Sequence, residues 1–171
     1  MSTTDTVRAE QQAMAQLDSV VAMVKRLKHI QEGCDGEDCE LTDAGIYEGL
    51  NLYYKEGDKA TEEERKRYHD EDEARQAISE DPLSVQVRSG WANSPAEFEA
   101  EEYEILLCTG GPACRIVGDL DRGEPDRARI EYQDWFTPWI ELVGITSGER
   151  DAMLVYARQF YFGELAKLDK S

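Results

Sequence analysis

Positive charge is scarce in this chain: its 171 residues carry 19 Lys and Arg against 37 Asp and Glu, a formal net charge of −18. Proteins that bind nucleic acid or an anionic membrane neutralise phosphates with Lys and Arg. The charge balance therefore argues against direct binding of nucleic acid or membrane and favours a basic protein as partner. The simpler alternative is that the acidity only provides solubility.

Long hydrophobic runs are also missing. No apolar stretch approaches the roughly 20 residues of a membrane span, and residues 1–10 lack the apolar core of a signal peptide. We therefore expect a cytoplasmic protein whose thiols stay reduced. Hydrophobic residues nevertheless make up 40% of the chain, which suits a folded core, and the length predicts one domain, residues 1–171.

Histidine is rare, with only His29 and His69 in the whole sequence. Both lie in charge-rich helical segments far from any candidate nucleophile, so catalysis by histidine has little support. His69 is followed by the carboxylates of residues 70–72, which can hold a divalent ion or, more simply, form a solvated acidic face.

The four cysteines form two pairs, Cys34 with Cys39 and Cys108 with Cys114. Their spacing is unlike that of a four-thiolate zinc cluster, so we expect no metal and no cofactor. The thiols can still be free, paired or metal-bound. Cys108 and Cys114 flank a predicted hairpin turn, where two adjacent strands can bring them together in a reversible disulfide.

The first half of the chain, residues 1–81, has helical periodicity. Apolar residues recur at steps of three and four between Thr6 and Gln31, which predicts an amphipathic helix that ends near Gly33. Its apolar stripe is broad enough to pack on the protein's own core, and pairing with a second copy in a homodimer is the alternative.

An acidic connector, residues 34–43, follows the first helix and is predicted to be an exposed loop. Three shorter helices are then expected: one after Thr42 or Asp43, one after a capping box that begins at Thr61, and one over residues 70–79. Asp81-Pro82 ends this helical part, because proline biases the preceding residue away from the α region.

The second half, residues 82–171, changes to a period of two. Strands are predicted at residues 84–88, 103–107, 115–120 and 127–135, joined by Gly-rich turns. Short connections between sequential strands imply an antiparallel meander. A last helix, residues 147–168, is expected to cover one face, so the fold class is α+β.

Two sets of side chains are candidate partner contacts. The aromatic segment at 132–139 contains side chains that leave the sheet and can anchor an interface, or can pack in the core. Acidic side chains cluster in the helical half. The aromatic candidates are Trp135, Phe136 and Trp139, and the acidic ones are Glu62, Glu63, Glu64, Asp70, Glu71, Asp72 and Glu73, with Asp35, Glu37 and Asp38 as a second patch.

Three segments resemble a family of small acidic proteins of phages and prophages: DPLSVQVRSGW at 81–91, EILLCTGGPACRIVG at 104–118 and DWFTPW at 134–139. The resemblance covers about residues 70–164. The family has no assigned activity, so the resemblance implies a setting in the host cytoplasm and no catalytic residues. It also implies a likeness to inhibitors of host defence, including anti-CRISPR proteins, which occupy nucleic-acid grooves with acidic surfaces.

The expected function is therefore that of a phage or prophage accessory protein that binds a basic host protein or nucleoprotein complex without being an enzyme. One alternative is a metal-dependent enzyme that uses carboxylates or the cysteines. Another is a virion assembly component, which predicts a stable oligomer through the N-terminal helix.

Overall fold

The computed structural model describes residues 3–162, which form an α+β fold with five α-helices and an open antiparallel sheet of six strands. No helix within these residues is long and apolar enough to cross a membrane. The helices are α1 (Thr3–Gln31), α2 (Asp43–Gly49), α3 (Glu62–Tyr68), α4 (Glu71–Glu80) and α5 (Ser147–Ala157). The strands are β1 (Ser84–Ser89), β2 (Ala100–Cys108), β3 (Ala113–Asp121), β4 (Glu124–Pro125), β5 (Arg129–Gln133) and β6 (Ile140–Glu141).

Helix α1 confirms the predicted amphipathic helix. It ends two residues before Gly33, whose φ of 96° is in the left-handed region and whose N–H donates to the carbonyl of Ile30 at 3.0 Å. Because glycine adopts this conformation without a steric cost, it ends the helix sharply. The buried stripe of α1 keeps the predicted spacing of three and four residues, with Ala9, Ala13, Leu17, Val20, Val24 and Leu27 facing the core.

The three short helices begin where the sequence predicts. Thr42 caps α2, Thr61 forms a capping box with Glu64 at the start of α3, and Asp70 caps α4. Helix α4 ends at Glu80, but Asp81 keeps α-helical dihedrals (φ −66°, ψ −48°) although it precedes a proline. Its N–H donates to Ile78 and its carboxylate accepts from Tyr156, and these two contacts hold the residue in that conformation.

The sheet confirms the predicted meander and adds to it. Strands β1, β2, β3 and β5 are neighbours in that order, all antiparallel, where four strands are predicted. Two strands of two residues each, β4 beside β3 and β6 beside β5, complete the sheet. They are too short to show a period in sequence.

The cover of the sheet differs from the prediction. Helix α1 packs against β3 and β5, and α5 packs chiefly against α1. Helix α5 begins after a capping box at Thr146 and ends at Ala157, earlier than the predicted end at residue 168. Residues 163–168 lie outside the described part of the chain.

One main apolar cluster joins α1, α4, α5 and the inner face of the sheet, while Ile46, Leu50 and Tyr68 form a second, smaller cluster between α2 and α3.

A candidate metal centre

Four side chains from three separate segments meet beside the smaller apolar cluster. His29 comes from the last turn of α1, Cys34 and Cys39 come from the acidic connector, and His69 is the C-cap residue of α3. One ligand atom from each residue lies within 4.8 Å of the others. These segments are therefore positioned to share one ion.

The arrangement is close to tetrahedral spacing. Zinc bonds of about 2.3 Å to sulfur and 2.0–2.1 Å to nitrogen place the donor atoms roughly 3.3 to 3.8 Å apart. The Cys39 Sγ already lies 3.3 Å from His29 Nε2, and the rings of His29 and His69 have centroids 5.6 Å apart. Side-chain movements of about 1 Å would bring all four donors into the coordination range.

His69 shows the signature of a metal ligand without a partner. Its Nδ1 lies 2.6 Å from the carbonyl oxygen of Arg65, and because a carbonyl only accepts, Nδ1 carries the proton. In the neutral imidazole, Nε2 then carries a lone pair that can accept a hydrogen bond or bind a metal. This Nε2 is buried and has no hydrogen-bond partner in the described residues. Metal-binding histidines commonly donate their other nitrogen to a carbonyl in this way.

The backbone around His69 is held from two sides. The guanidinium of Arg26, on α1, donates to the carbonyls of Arg67 and Tyr68 and so fixes the end of α3. Gly36, at φ 95°, brings the connector so close that a Cβ there would lie 3.0 Å from His69 Nδ1. Only glycine adopts this conformation and leaves room for the imidazole.

The two thiols of the cluster are half-buried and adjacent. Burial and the neighbouring Cys34 raise the pKa of the Cys39 thiol, although the hydrogen bond from the Leu41 backbone opposes the shift. A bound cation would replace the thiol protons and favour the thiolates. The site thus offers two sulfur and two nitrogen donors, which is the donor set of Cys₂His₂ zinc sites.

The carboxylates of the predicted acidic surface do not all have the same structural role. Within residues 3–162, four of its seven carboxylates cap helices or pair with arginines, and three do neither. Glu64 belongs to the α3 capping box and Asp70 caps α4. Glu71 accepts from Arg75 at 2.8 Å, and Glu73 accepts from Arg67 at 2.5 Å. Among the described residues, no cation pairs with the other three, which are exposed: Glu62, Glu63 and Asp72. Asp35, Glu37 and Asp38 are exposed on the connector that carries the two cysteines.

The three predicted aromatic contacts differ in their exposure. Trp135 and Phe136 are 58% and 98% exposed in the turn after β5. Phe136 has a φ of 60°, a backbone conformation that is strained for residues other than glycine. Trp139 instead packs on the outer face of the sheet, where the Arg115 guanidinium lies 4.0 Å from its ring centroid. The exposed pair is thus Trp135 and Phe136.

The meeting of His29, Cys34, Cys39 and His69 was not predicted from the sequence. There Cys34 and Cys39 were considered together with Cys108 and Cys114, which lie on β2 and β3 and are not part of the cluster. The available signal was a pair of cysteines with four residues between them, which is within the range of zinc pairs, in a chain with only two histidines. What the sequence could not show is that the end of α3 returns to the end of α1.

Comparison of the chain with protein-family models, with curated proteins and with solved structures found no match in any of the three. The resemblance to acidic phage proteins therefore stays a prediction from the sequence.

Proposed function

We propose that the protein is a zinc-stabilised binding protein, in which a structural Zn²⁺ held by His29, Cys34, Cys39 and His69 organises an acid-rich helical half for contact with a basic partner. The observation that carries the metal is the convergence of four ligand atoms within 4.8 Å, with the Nε2 of His69 buried and unpartnered.

Zinc suits this donor set best. Thiolates select zinc, copper(I) or iron–sulfur chemistry, imidazole suits zinc, and a tetrahedral S₂N₂ arrangement is typical of zinc. Calcium and magnesium require oxygen ligands, and none of the four donors is a carboxylate. The exposed carboxylates of Asp35, Glu37 and Asp38 remain free to raise the local concentration of cations.

The role of the ion is structural because the chain supplies all four ligands. Catalytic zinc sites have three protein ligands and keep one position for water or substrate. Here the four ligands tie α1, the connector and α3 together. The small apolar cluster of Ile46, Leu50 and Tyr68, with Leu41 and Ala60 packed against it, lies beside the site, and so small a cluster gains from an added crosslink.

The binding role follows from charge. A Zn²⁺ ion with two thiolates and two neutral imidazoles has no net charge, so the metal leaves the acidic character of the surface unchanged. The exposed carboxylates of Asp35, Glu37 and Asp38 flank the cysteines of the site, and those of Glu62 and Glu63 lie in the first turn of α3, at the other end of that helix from His69. Complementary charge of this kind chiefly accelerates encounter with a cationic partner.

A phage or prophage setting in the host cytoplasm is part of the proposal on the strength of the sequence resemblance alone. In that setting the basic partner would be a host protein or nucleoprotein complex, and occupation of its nucleic-acid groove would inhibit host defence. The strained and exposed Phe136 supports a second contact point on this partner, because backbone strain of this kind clusters at functional sites.

The metal is tested by elemental analysis of protein purified without chelator and of apoprotein reconstituted with Zn²⁺ or Co²⁺. We expect one zinc per chain, and with Co²⁺ the intense visible bands of tetrahedral thiolate coordination. Cys39→Ala and His69→Gln should lose the ion. Cys108→Ala, a thiol outside the cluster, is the matched control and should retain it. Stoichiometric zinc in Cys39→Ala, or none in the reconstituted wild type, would refute the metal centre.

Chelation tests the structural role of the ion. With free zinc a thousandfold above its dissociation constant, binding stabilises the folded state by about 4 kcal/mol. Removal of the ion should therefore lower the unfolding midpoint and speed hydrogen exchange in α2 and α3, while the strands keep their protection. A uniform loss of protection across the sheet would contradict a local role.

The binding role is tested with charge reversals and the copurified partner complex. Glu62→Lys with Glu63→Lys should slow association and weaken its salt dependence. The control pair is Glu99→Lys with Glu124→Lys, exposed on the sheet half, and should change association little. Equal effects of the two pairs would mean that association depends only on the net charge of the protein and that the helical half does not form a specific binding surface.

A further inference from the structure

A second pair of cysteines, Cys108 on β2 and Cys114 on β3, lies directly opposite across the antiparallel ladder. Residues that face each other in such a ladder have Cα atoms about 4.5 to 5.5 Å apart. Disulfide bonds span Cα distances of 4.4 to 6.8 Å. The pairing of the strands therefore places the two cysteines close to the range of Cα separations that disulfides span.

A β-bulge creates this pairing. Leu106 pairs with Arg115, but the next pair is Cys108 with Cys114, so Leu107 is an extra residue on β2. Without the bulge, Leu107 would face Cys114 and Cys108 would point to the opposite face of the sheet. The extra residue returns Cys108 to the inner face, where it contacts the core cluster that contains Cys114.

The two thiols differ in access. Cys114 is 0% exposed, whereas Cys108 is half-buried near the hairpin turn. As a thiol, Cys108 donates to the carbonyl of Pro112 at 3.7 Å. A small oxidant from solvent can therefore reach Cys108, while Cys114 is closed to solvent.

The pKa shifts of the two thiols follow the same division as their access to solvent. A hydrogen bond from the Cys114 thiol lowers the pKa of Cys108 to about 7, with a further contribution from the Gln12 side chain and despite the opposing effect of burial. The same hydrogen bond, together with burial, raises the pKa of Cys114. The accessible sulfur is thus the more readily ionised of the two, which is the division between an attacking and a resolving cysteine.

We propose that Cys108 is an oxidation site for small hydroperoxides, and that Cys114 resolves the product as an intramolecular disulfide across β2 and β3. The Cys108 thiolate attacks one oxygen of the hydroperoxide, the O–O bond breaks, and an alkoxide or hydroxide ion leaves as sulfur is oxidised to sulfenic acid. The sulfur of Cys114 then attacks that of Cys108, the S–O bond breaks, and water leaves with the Cys114 proton. One hydroperoxide is reduced and two thiols are oxidised.

This inference uses different cysteines, on different elements, from those of the zinc centre, and only the comparison of the two pairs in its test rests on the proposed zinc. Trypsin separates the two pairs: no Lys or Arg lies between Ser89 and Arg115, so Cys108 and Cys114 share one peptide, and Cys34 and Cys39 share another, residues 29–55. A disulfide within either pair lowers the mass of its own peptide by two hydrogens, which assigns the bond directly.

The test treats the zinc-loaded protein with hydrogen peroxide near equimolar concentration and alkylates the remaining thiols before digestion. We expect the disulfide in the 89–115 peptide to form first and dithiothreitol to reverse it. Cys114→Ala should stop at a Cys108 sulfenic acid that dimedone traps. Cys108→Ala should leave Cys114 reduced at least tenfold longer than the wild-type pair.

Three results would overturn the proposal. One is oxidation of the 29–55 peptide before the 89–115 peptide in the zinc-loaded protein. The second is equal oxidation of Cys114 with and without Cys108. The third is a stable sulfenic acid in the wild type with no disulfide. Circular dichroism of each variant shows whether the fold is retained, and the wild-type order of oxidation decides the matter even if a variant does not fold.

Discussion

Arg26, in α1, donates from Nε to the carbonyl oxygen of Tyr68 at 2.9 Å, at the last residue of α3. The side chain is only 3% exposed, and a terminal nitrogen reaches the Arg67 carbonyl at 2.5 Å. A buried cation thus satisfies two carbonyls at the C-terminal end of a helix, where the dipole is negative. The next residue is His69, so this contact fixes where one proposed zinc ligand lies.

Arg26→Met should destabilise the protein by about 2–3 kcal/mol, because two carbonyls lose a charged donor. It should also weaken zinc binding, since the end of α3 is no longer held against α1. Denaturant unfolding and competition with a zinc chelator measure the two effects. Arg75→Met, which removes an exposed pair with Glu71, is the control and should cost about 0.5 kcal/mol with unchanged zinc affinity. Unchanged zinc affinity in Arg26→Met would contradict the positioning role.

Asp81 links stability to pH in an unusual direction. Burial raises its pKa above the ordinary value of 3.8, although the hydrogen bond from the Tyr156 hydroxyl opposes the shift. A raised pKa means that the contribution of Asp81 to stability is complete below pH 3.8 and is lost as the pH rises through the folded-state value.

Asp81→Asn should therefore stabilise the protein at pH 7, because it keeps an acceptor for Tyr156 and removes the cost of burying a charge. The difference from wild type should shrink as the pH falls towards 4. Tyr156→Phe, which leaves the carboxylate without its donor, should instead cost about 1–3 kcal/mol at neutral pH. Urea unfolding at several pH values measures both, and a difference independent of pH would show that Asp81 does not titrate as its environment indicates.

Gly118, in β3, is required for close approach of the chain. A Cβ there would lie 1.8 Å from the carbonyl oxygen of Arg127, which also accepts from the Tyr103 hydroxyl at 2.8 Å. Gly118→Ala should destabilise the protein by about 3 kcal/mol, because backbone must move. Gly148→Ala, in open space within α5, should stabilise it by up to about 1 kcal/mol. Thermal unfolding distinguishes the pair, and a neutral Gly118→Ala would refute the packing.

Phe136 is strained without a stabilising contact to the core. Its φ is 60°, it is 98% exposed, and its ring neighbour is Trp135, with centroids 5.9 Å apart. Phe136→Gly should raise stability by about 0.5–1 kcal/mol, because glycine adopts this conformation freely. Phe136→Ala removes the ring and keeps the strain, so it should leave stability nearly unchanged.

The same two variants test the second contact point. If Phe136 anchors a partner, both should weaken binding to the copurified complex by at least tenfold, as expected for an interface anchor. Binding unaffected by both variants would leave the strained aromatic without a role in recognition.

The helices and strands were largely predictable because their signals are local. The stripe of α1 from Ala9 to Leu27, the caps at Thr61 and Asp70 and the alternation in β5 all depend on neighbours within a few residues. The sheet cover was predicted less well. Apolar stripes on α1 and α5 look alike in sequence, and which one lies on β3 and β5 depends on how the whole chain packs.

Composition and periodicity by themselves determined the acidic character, the α+β class and the antiparallel meander, since charge, hydrophobic period and turn residues act over short distances. The tertiary structure alone decided what the two histidines and the first pair of cysteines can do. His29 and His69 are forty residues apart in sequence and meet only because Arg26 and the small cluster around Tyr68 hold α3 against α1. The hairpin turn predicted that adjacent strands can bring Cys108 and Cys114 together, but the bulge at Leu107 that places them opposite each other depends on the packing of both strands.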